Sequence, residues 1–569
     1  MRIKYLPIVV FALFCFVSMG MVPAQGAVDE ATSKAIEKWI EEFQPSALTK
    51  EEQKKELEWF AEAAKPYRGM TITSCSETIS PHVFESEVLS KAFEEITGIK
   101  VKHDLIAEGD VVDRIARQVQ TGRKLYDIYI NDADLIGWHL RSGGVVDLTE
   151  FMAGEGKDVT NPYLDLADFL NPEFGQDFDK HQLQLPDQQF AALYWFRYDW
   201  FNRPDIQQAF KEKYGYDLGV PLNWAAYEDI AEFFTGREID GKKVWGHYDF
   251  AKKGPDLGWR FTDAWLSIAG ASDKGLPNGL PVDDWGIRVE DRIPVGSMVE
   301  RGGAVNSYAA VYALDKYLTW AAKYAPPSVY SVSATEMLGY PAHGDIAQAV
   351  FYYIVGLWDP NFQKPPMTDD KGNLNWRVAP IPHGKYWQEG MKVGYQDAGS
   401  WTLPVSTKGK ERKAAWLWAQ FCVSKTADLK KFLYANAPIR KSCVFHPYLT
   451  ENIAKYGGVI EFYRSKDEKL YTDSGINPPH YPLLAEQWWK HIGPALNGQV
   501  SAQDAMDNLA KSMDDLMGKM HLPKYNPKLG PLKTKEYWYE QPGAPWPEIK
   551  EREKPMTMKY EEIVKRWEQ

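Results

Sequence analysis

The sequence predicts an α/β fold built around an open, mostly parallel sheet. From Met70 onward, short β-prone runs alternate with segments whose apolar residues recur at helical spacing. The rhythm is strand, loop, helix, strand, loop, helix, strand, and its two helices stop at Gly98 and Gly122. Such alternation covers a parallel sheet with helices through right-handed crossovers. A later run, Phe190 to Phe196, is apolar throughout and rich in aromatics, as expected of a strand buried on both faces.

The N-terminus reads as an export signal. Arg2 and Lys4 precede a nearly unbroken apolar stretch from Pro7 to Val22, and Ala24-Gln25-Gly26 supplies small residues for cleavage near Gly26/Ala27. Residues 1–26 are therefore expected to be removed. Cys15 lies within the apolar stretch behind bulky Phe14, which does not suit lipidation. Two amphipathic helices follow, Val28 to Phe43 and Thr49 to Ala64. The second opens on a Thr49–Glu52 capping box, in which each side chain satisfies the other residue's backbone N–H.

In the α/β region, Met70 to Ser74, Ile99 to Leu105 and Tyr126 to Ile130 read as strands. Glu85 to Thr97 and Asp110 to Thr121 read as helices. Ligands of open α/β sheets collect beyond the carboxyl ends of strands. Glu77, Glu108 and the Asn131–Asp134 group all fall there, so three acidic loops converge. Beyond Phe201, helices are expected over Asp205 to Tyr214, Ala225 to Phe234 (capped by Asn223), Ala264 to Ala269, Ala304 to Tyr324 (with Asn306 as an alternative start), and Lys410 to Val423. Strands are expected over Val244 to Tyr248, Arg377 to Ile381 and Gly394 to Val405. A short amphipathic helix near Tyr560 to Trp567 closes an otherwise extended tail.

Composition narrows the function. Net charge is −12 for the whole chain and −14 without Arg2 and Lys4, which disfavours nucleic acid and anionic membranes as partners. Cys75, Cys422 and Cys443 show no metal spacing and leave any single disulfide pairing open. The 11 His are scattered without ligand spacing, so no metal or other cofactor is expected. There is no Ser nucleophile elbow, HExxH, P-loop or Rossmann glycine fingerprint. Aromatics reach 14%, with 22 Trp; rings beside Asp and Asn suit hydroxylated ligands, although most Trp serve packing. A secreted carbohydrate-active hydrolase shares that composition and stays as the enzymatic alternative.

Several phrases, in order, resemble family 1 of the extracellular solute-binding proteins of ABC importers. They are EEITGIKV (Glu94 to Val101), YDIYIND (Tyr126 to Asp132), LYWFRYDWF (Leu193 to Phe201), PLNWAAYEDIAEFF (Pro221 to Phe234), the stretch from Gly399 to Ser424, and PIRKS (Pro438 to Ser442). LPDQQFA, YGYDLGVP, KVGYQDAGSWT and QPGAP are similar to the glycerol-importer branch. The chain departs from the family where Arg197 replaces an Asn, in its length, and in its two leading helices. The resemblance implies a two-lobed, hinged periplasmic-binding-protein fold (type II-like). Lobe one is expected from residues 66–186 plus 393–433, and lobe two from 187–392 plus 434–522. Residues 27–65 would be a helical extension and 523–569 an extended tail. It further implies a periplasmic monomer that passes a small polyol to ABC permease subunits in the inner membrane. A sugar, an oligosaccharide or glycerol 3-phosphate is the alternative ligand.

A polyol needs a donor or acceptor for each hydroxyl it strips of water. Under the resemblance, Glu77, Asn131 and Asp132 are the lobe-one candidates. Asp134 fits a solvated loop acid or a helix cap better. Asp187, Trp195, Trp259 and Asp263 are the candidates from lobe two and the hinge, with Trp195 equally suited to the core. Tyr395, Asp397, Gly399, Ser400 and Trp401 form the densest polar-aromatic group. Arg440 either reaches a hydroxyl or braces an acid. The scarcity of Arg and Lys beside so many acids favours an uncharged ligand.

Overall fold

The computed structural model describes residues 29–254, 257, 265–271, 285–353, 360–435, 438–473, 475–541 and 547–569. Two five-stranded sheets dominate it. In the first, β1 (Thr71–Glu77) lies between β2 (Lys100–Ile106) and β3 (Ile128–Asp132), all parallel. The order continues from β3 through two antiparallel strands. In the second, β5 (Phe190–Arg197) is central, and its eight residues are all buried. It pairs antiparallel with β6 (Gln348–Tyr353), β7 (Trp376–Ala379) and β8 (Gly394–Asp397). The chain thus has an α/β architecture with two sheets.

Two segments run through both sheets. The first passes from β4 (Leu185–Pro186) in the first sheet across residues 187–189 into β5. The second passes from β8 across Ala398 into β9 (Gly399–Thr402) in the first sheet. They run antiparallel and hydrogen-bond to each other on both sides of the crossing. Trp401 faces Leu185, and Asp397 faces Phe190. At the crossing, the N–H groups of Asp187 and Gln188 both donate to the Gly399 carbonyl, at 2.9 and 3.1 Å. The expected single strand Gly394 to Val405 is therefore two, broken at Ala398 because each half belongs to a different sheet.

The leading helices, α1 (Glu30–Glu42) and α2 (Lys50–Ala63), pack into the core of the first sheet. The Thr49–Glu52 capping box forms. Phe60 is fully buried and meets the Phe421 ring edge-on at 5.3 Å. Glu56, also buried, accepts from the Asn161 side-chain amide, from the Thr426 N–H and from the Thr426 hydroxyl. These helices complete the lobe: without them Leu57, Phe60 and Ala61 would leave Phe93 and Phe421 uncovered.

Several expectations need correction. Val244 to Tyr248 is not a strand; only Trp245 makes a bridge, to Ile346. The helix near residue 306 is capped by the Ser307 hydroxyl and starts at Tyr308. The first helix of the sheet domain starts at Ser80, earlier than Glu85, because α3 (Ser80–Phe84) continues through a π-helical turn (Glu85–Leu89) into α4 (Ser90–Thr97). The C-terminal stretch is anchored as well as extended. Thr557–Met558 pairs with Val220–Pro221, and the Tyr560–Trp567 helix sends the Trp567 Nε1–H to Asp467 at 3.1 Å.

Phe60→Ala should destabilise the fold by about 3–5 kcal/mol, the usual cost of emptying a buried aromatic site. Chemical denaturation measures this, and ligand affinity should be unchanged. A second expectation concerns Asp428, buried near Arg440 and Lys431. Burial raises its carboxyl to about 7 in spite of those cations. The folded chain thus holds this proton more tightly than the unfolded chain, where the group titrates at about 4. Its stabilising contribution is full below the unfolded value and is lost as pH rises through the folded one. Asp428→Asn should therefore raise Tm at about pH 8 and give little gain at about pH 4. Equal gains at both would show that proton binding at this site is not the cause.

Candidate ligand-binding cleft

The crossing strands form the floor between the two sheets. Toward this floor the carboxyl ends of β1 and β3 deliver Glu77 and the Asn131–Asp132 pair. Pairing sets Asp132 opposite Gly399 and Asn131 opposite Ser400. Asp397 lies two residues earlier, on the far side of the crossing. Glu108 opens the helix α5 (Glu108–Thr121) that follows β2. Burial raises the Asp132 carboxyl, and hydrogen bonds with Glu108 and Asp397 oppose that rise. Three carboxyl groups from three separate chain segments therefore meet. The Gln188 amide donates weakly to Glu77 at 3.4 Å and ties the end of β1 to the first crossing.

The second-sheet side adds a fixed polar layer. Glu468 is buried and accepts from Asn171 at 2.5 Å, Gln396 at 2.9 Å and Gln189 at 3.4 Å. Gln189 and Gln396 come from the two crossing segments, so one carboxylate aligns both. Tyr395 sends its hydroxyl to Asp134 at 2.8 Å and thus ties β8 to the turn after β3. A groove of about 850 Å³ runs along α5, from Ala107 to Gln120, against residues 480–489.

The sequence candidates separate into two groups. Glu77, Asn131, Asp132, Tyr395 and Asp397 lie at the carboxyl ends or the crossing. Asp187 and Trp401 require correction. Both are buried, and the Trp401 indole donates to Asp187 Oδ1 at 2.8 Å. The same oxygen accepts from Lys431, so this pair serves the interior of the first lobe. Arg440 is a brace: its buried guanidinium donates to the Val423 and Leu164 carbonyls, pairs with Asp168 at 3.3 Å and covers the Phe169 ring. Trp195 is core, in mid-β5 between Ala349 and Val378. Gly399 admits the Gln188 side chain, which a Cβ would strike at 2.5 Å. The Ser400 hydroxyl is buried on the Ala398 carbonyl at 3.2 Å. Trp259 and Asp263 lie outside the described residues. Asn171 and Glu468 were not candidates. They sit at short 3-10 turns that carry no sequence signal, and only the fold brings Asn171 to Glu468 and Glu468 to Gln189 and Gln396. Asp134, read as a loop acid or a cap, instead accepts from Tyr395.

The described residues contain no helix long and apolar enough to cross a membrane. Comparison with known proteins agrees with this architecture. The family model for bacterial extracellular solute-binding proteins matches residues 83–428. A curated relative, the erythritol/L-threitol-binding protein of Mycolicibacterium smegmatis, is 22% identical over 412 residues, 68% of this chain and 74% of its own. A ribitol complex of a solute-binding protein from Agrobacterium radiobacter superposes with a TM-score of 0.62 at 20% identity, over 79% of this chain and all of the other. A D-mannitol complex from Agrobacterium vitis gives 0.59 at 16% identity, over 80% of this chain and all of its own. These likenesses establish the fold, and the family match covers more than half of the chain. The protein belongs to the bacterial extracellular solute-binding proteins, a family that binds without catalysing.

Proposed function

We propose that this protein is the periplasmic receptor of an ABC importer and that it captures a small neutral polyol, with glycerol the first candidate. The meeting of Glu108, Asp132 and Asp397 carries this reading. Carboxyl groups gathered in this way present several acceptor oxygens in one place, and each hydroxyl of a polyol is a donor. Charge-assisted bonds of this kind are stronger than neutral ones. The amides of Gln189 and Gln396, held by Glu468, supply the complementary partners. Support also comes from relatives named for erythritol, ribitol and mannitol. The apparent export signal in residues 1–26 fits the periplasm. Closure of the lobes over the ligand would present the form that a permease reads.

Charge argues against a phosphorylated ligand. Arg440 is committed to Asp168 and backbone carbonyls, and Lys431 to Glu85 and Asp187. A phosphate would therefore meet acids at the crossing with neither of these cations to answer it.

Titration calorimetry against glycerol, erythritol, ribitol, mannitol, maltose and glycerol 3-phosphate tests the reading. A free polyol is expected to bind, and glycerol 3-phosphate to bind far more weakly. Tight binding of the phosphate with no response to free polyols would sink the proposal, and tight binding of maltose alone would move it to oligosaccharides. Asp397→Ala should weaken polyol binding by at least about tenfold, the loss of one charge-assisted bond. Its melting temperature should stay close to that of the parent, and unchanged affinity would remove Asp397 from the site.

A further inference from the structure

Beneath the first crossing, His82, Glu85 and Asp187 are fully buried, and each offers a ligand atom within 4.8 Å of the others. Each also keeps one acceptor with no hydrogen-bonding partner among the described residues: His82 Nε2, Glu85 Oε2 and Asp187 Oδ2. The opposite atom of each group is pinned. His82 Nδ1 is 2.9 Å from the Glu77 carbonyl and must carry the proton there, which leaves Nε2 as a lone pair. Lys431 Nζ holds Glu85 Oε1 at 2.5 Å and Asp187 Oδ1 at 2.8 Å. The Trp401 indole holds Asp187 Oδ1 as well. Gln188 lies within hydrogen-bonding reach of the His82 ring, and its buried Oε1 makes no other hydrogen bond among the described residues. A second imidazole, His103, stands 4.0 Å from Glu85 Oε2, but both of its nitrogens are engaged by the hydroxyls of Ser74 and Ser76.

Three groups with acceptor atoms are thus packed together, and either a proton shared between Glu85 and Asp187 or a bound cation would have to lie among them. Leaving buried polar atoms unmatched is costly, and a cation set among them would match all three at once. Metal sites have this pattern. The ligating imidazole gives its other N–H to a carbonyl, and the outer oxygens of ligating carboxylates are hydrogen-bonded. One nitrogen and two oxygens suit a borderline divalent ion such as zinc. Bonds of about 2.1 Å in tetrahedral arrangement put ligand atoms about 3.4 Å apart, inside the observed limit. His82 and Glu85 are three residues apart on one continuous helix, at the start of its π-helical turn, and distortions of this kind concentrate at functional sites.

We infer that His82, Glu85 and Asp187 form a buried site for a divalent, zinc-like metal ion, with the Gln188 carbonyl oxygen beside it. The ion would fasten the first crossing to the helix after β1. It would not contact the transported ligand, because Asp187 and His82 are sealed from the cleft. Its role would be to fix the pivot about which the lobes move.

The test uses protein unfolded in guanidinium with EDTA, refolded, given Zn²⁺ and gel-filtered. Elemental analysis is expected to find about one zinc per chain, with Tm several degrees above that of the metal-free sample. His82→Gln and Glu85→Gln should each retain less than about a tenth of that zinc and lose the Tm response while keeping the parent circular dichroism spectrum. Using two variants protects the test against one that fails to fold. Parent protein with no zinc and no Tm response would overturn the proposal, leaving protons or a water to satisfy the acceptors. Full zinc retention by both variants would overturn it too, by placing the metal elsewhere. The zinc count needs no polyol, so this result and the ligand titration can fail independently.

Discussion

The ammonium of Lys431 is the point on which the hinge depends. It is buried, and it reaches Glu85 on the helix after β1 and both the carboxylate and the carbonyl of Asp187 in the first crossing. Burial alone favours the neutral amine, but Asp187 and Glu85 outweigh it and raise the lysine pKa. Losing one partner of such a buried set typically costs about 3–5 kcal/mol, because the remaining charges are stranded. Asp187 also receives the Trp401 indole, so the lysine indirectly positions the second crossing. The hinge is thus secured from the first lobe. What lies above it, the Glu468 amide layer and the acid cluster, takes its geometry from strands held in this way.

Much of the fold was legible from local signals. The Thr49–Glu52 box, the Asn223 cap and the amphipathic pattern of Tyr560 to Trp567 each mark an element where the structure has one. These signals involve neighbours within a turn or two, so a single sequence displays them. The parallel strands were found for the same reason, through alternation and closing glycines. Val244 to Tyr248 misled because β-prone residues also suit a buried irregular segment held by other contacts.

The site was legible in chemistry and less so in direction. Glu77, Glu108 and the Asn131–Asp134 group were readable as acids beyond strand ends, whereas the Tyr395–Asp397 segment joined them only through the family resemblance. Asp187, Trp401 and Arg440 were chosen for the right functional groups, yet all three turn inward. Inside a crossing segment buried on both faces, alternation no longer separates cleft from core. Arg440 and Asp168 are 272 residues apart, and no local pattern reports such a partnership. His82 and Glu85 were separated by only two residues but carried no recognisable motif, since their third partner, Asp187, lies a hundred residues on.

The interleaving of segments in the first lobe has a consequence for how the chain is made. Glu56 bonds to Thr426 across 370 residues, and Phe60 packs on Phe421. Contacts this remote require closing long loops before any reward is gained, which slows folding. As synthesis proceeds from the N-terminus, the first lobe cannot close its core until residues beyond 430 have left the ribosome. Throughout that interval the apolar faces of the first two helices wait without their partners, so this lobe is among the last parts of the chain to be completed.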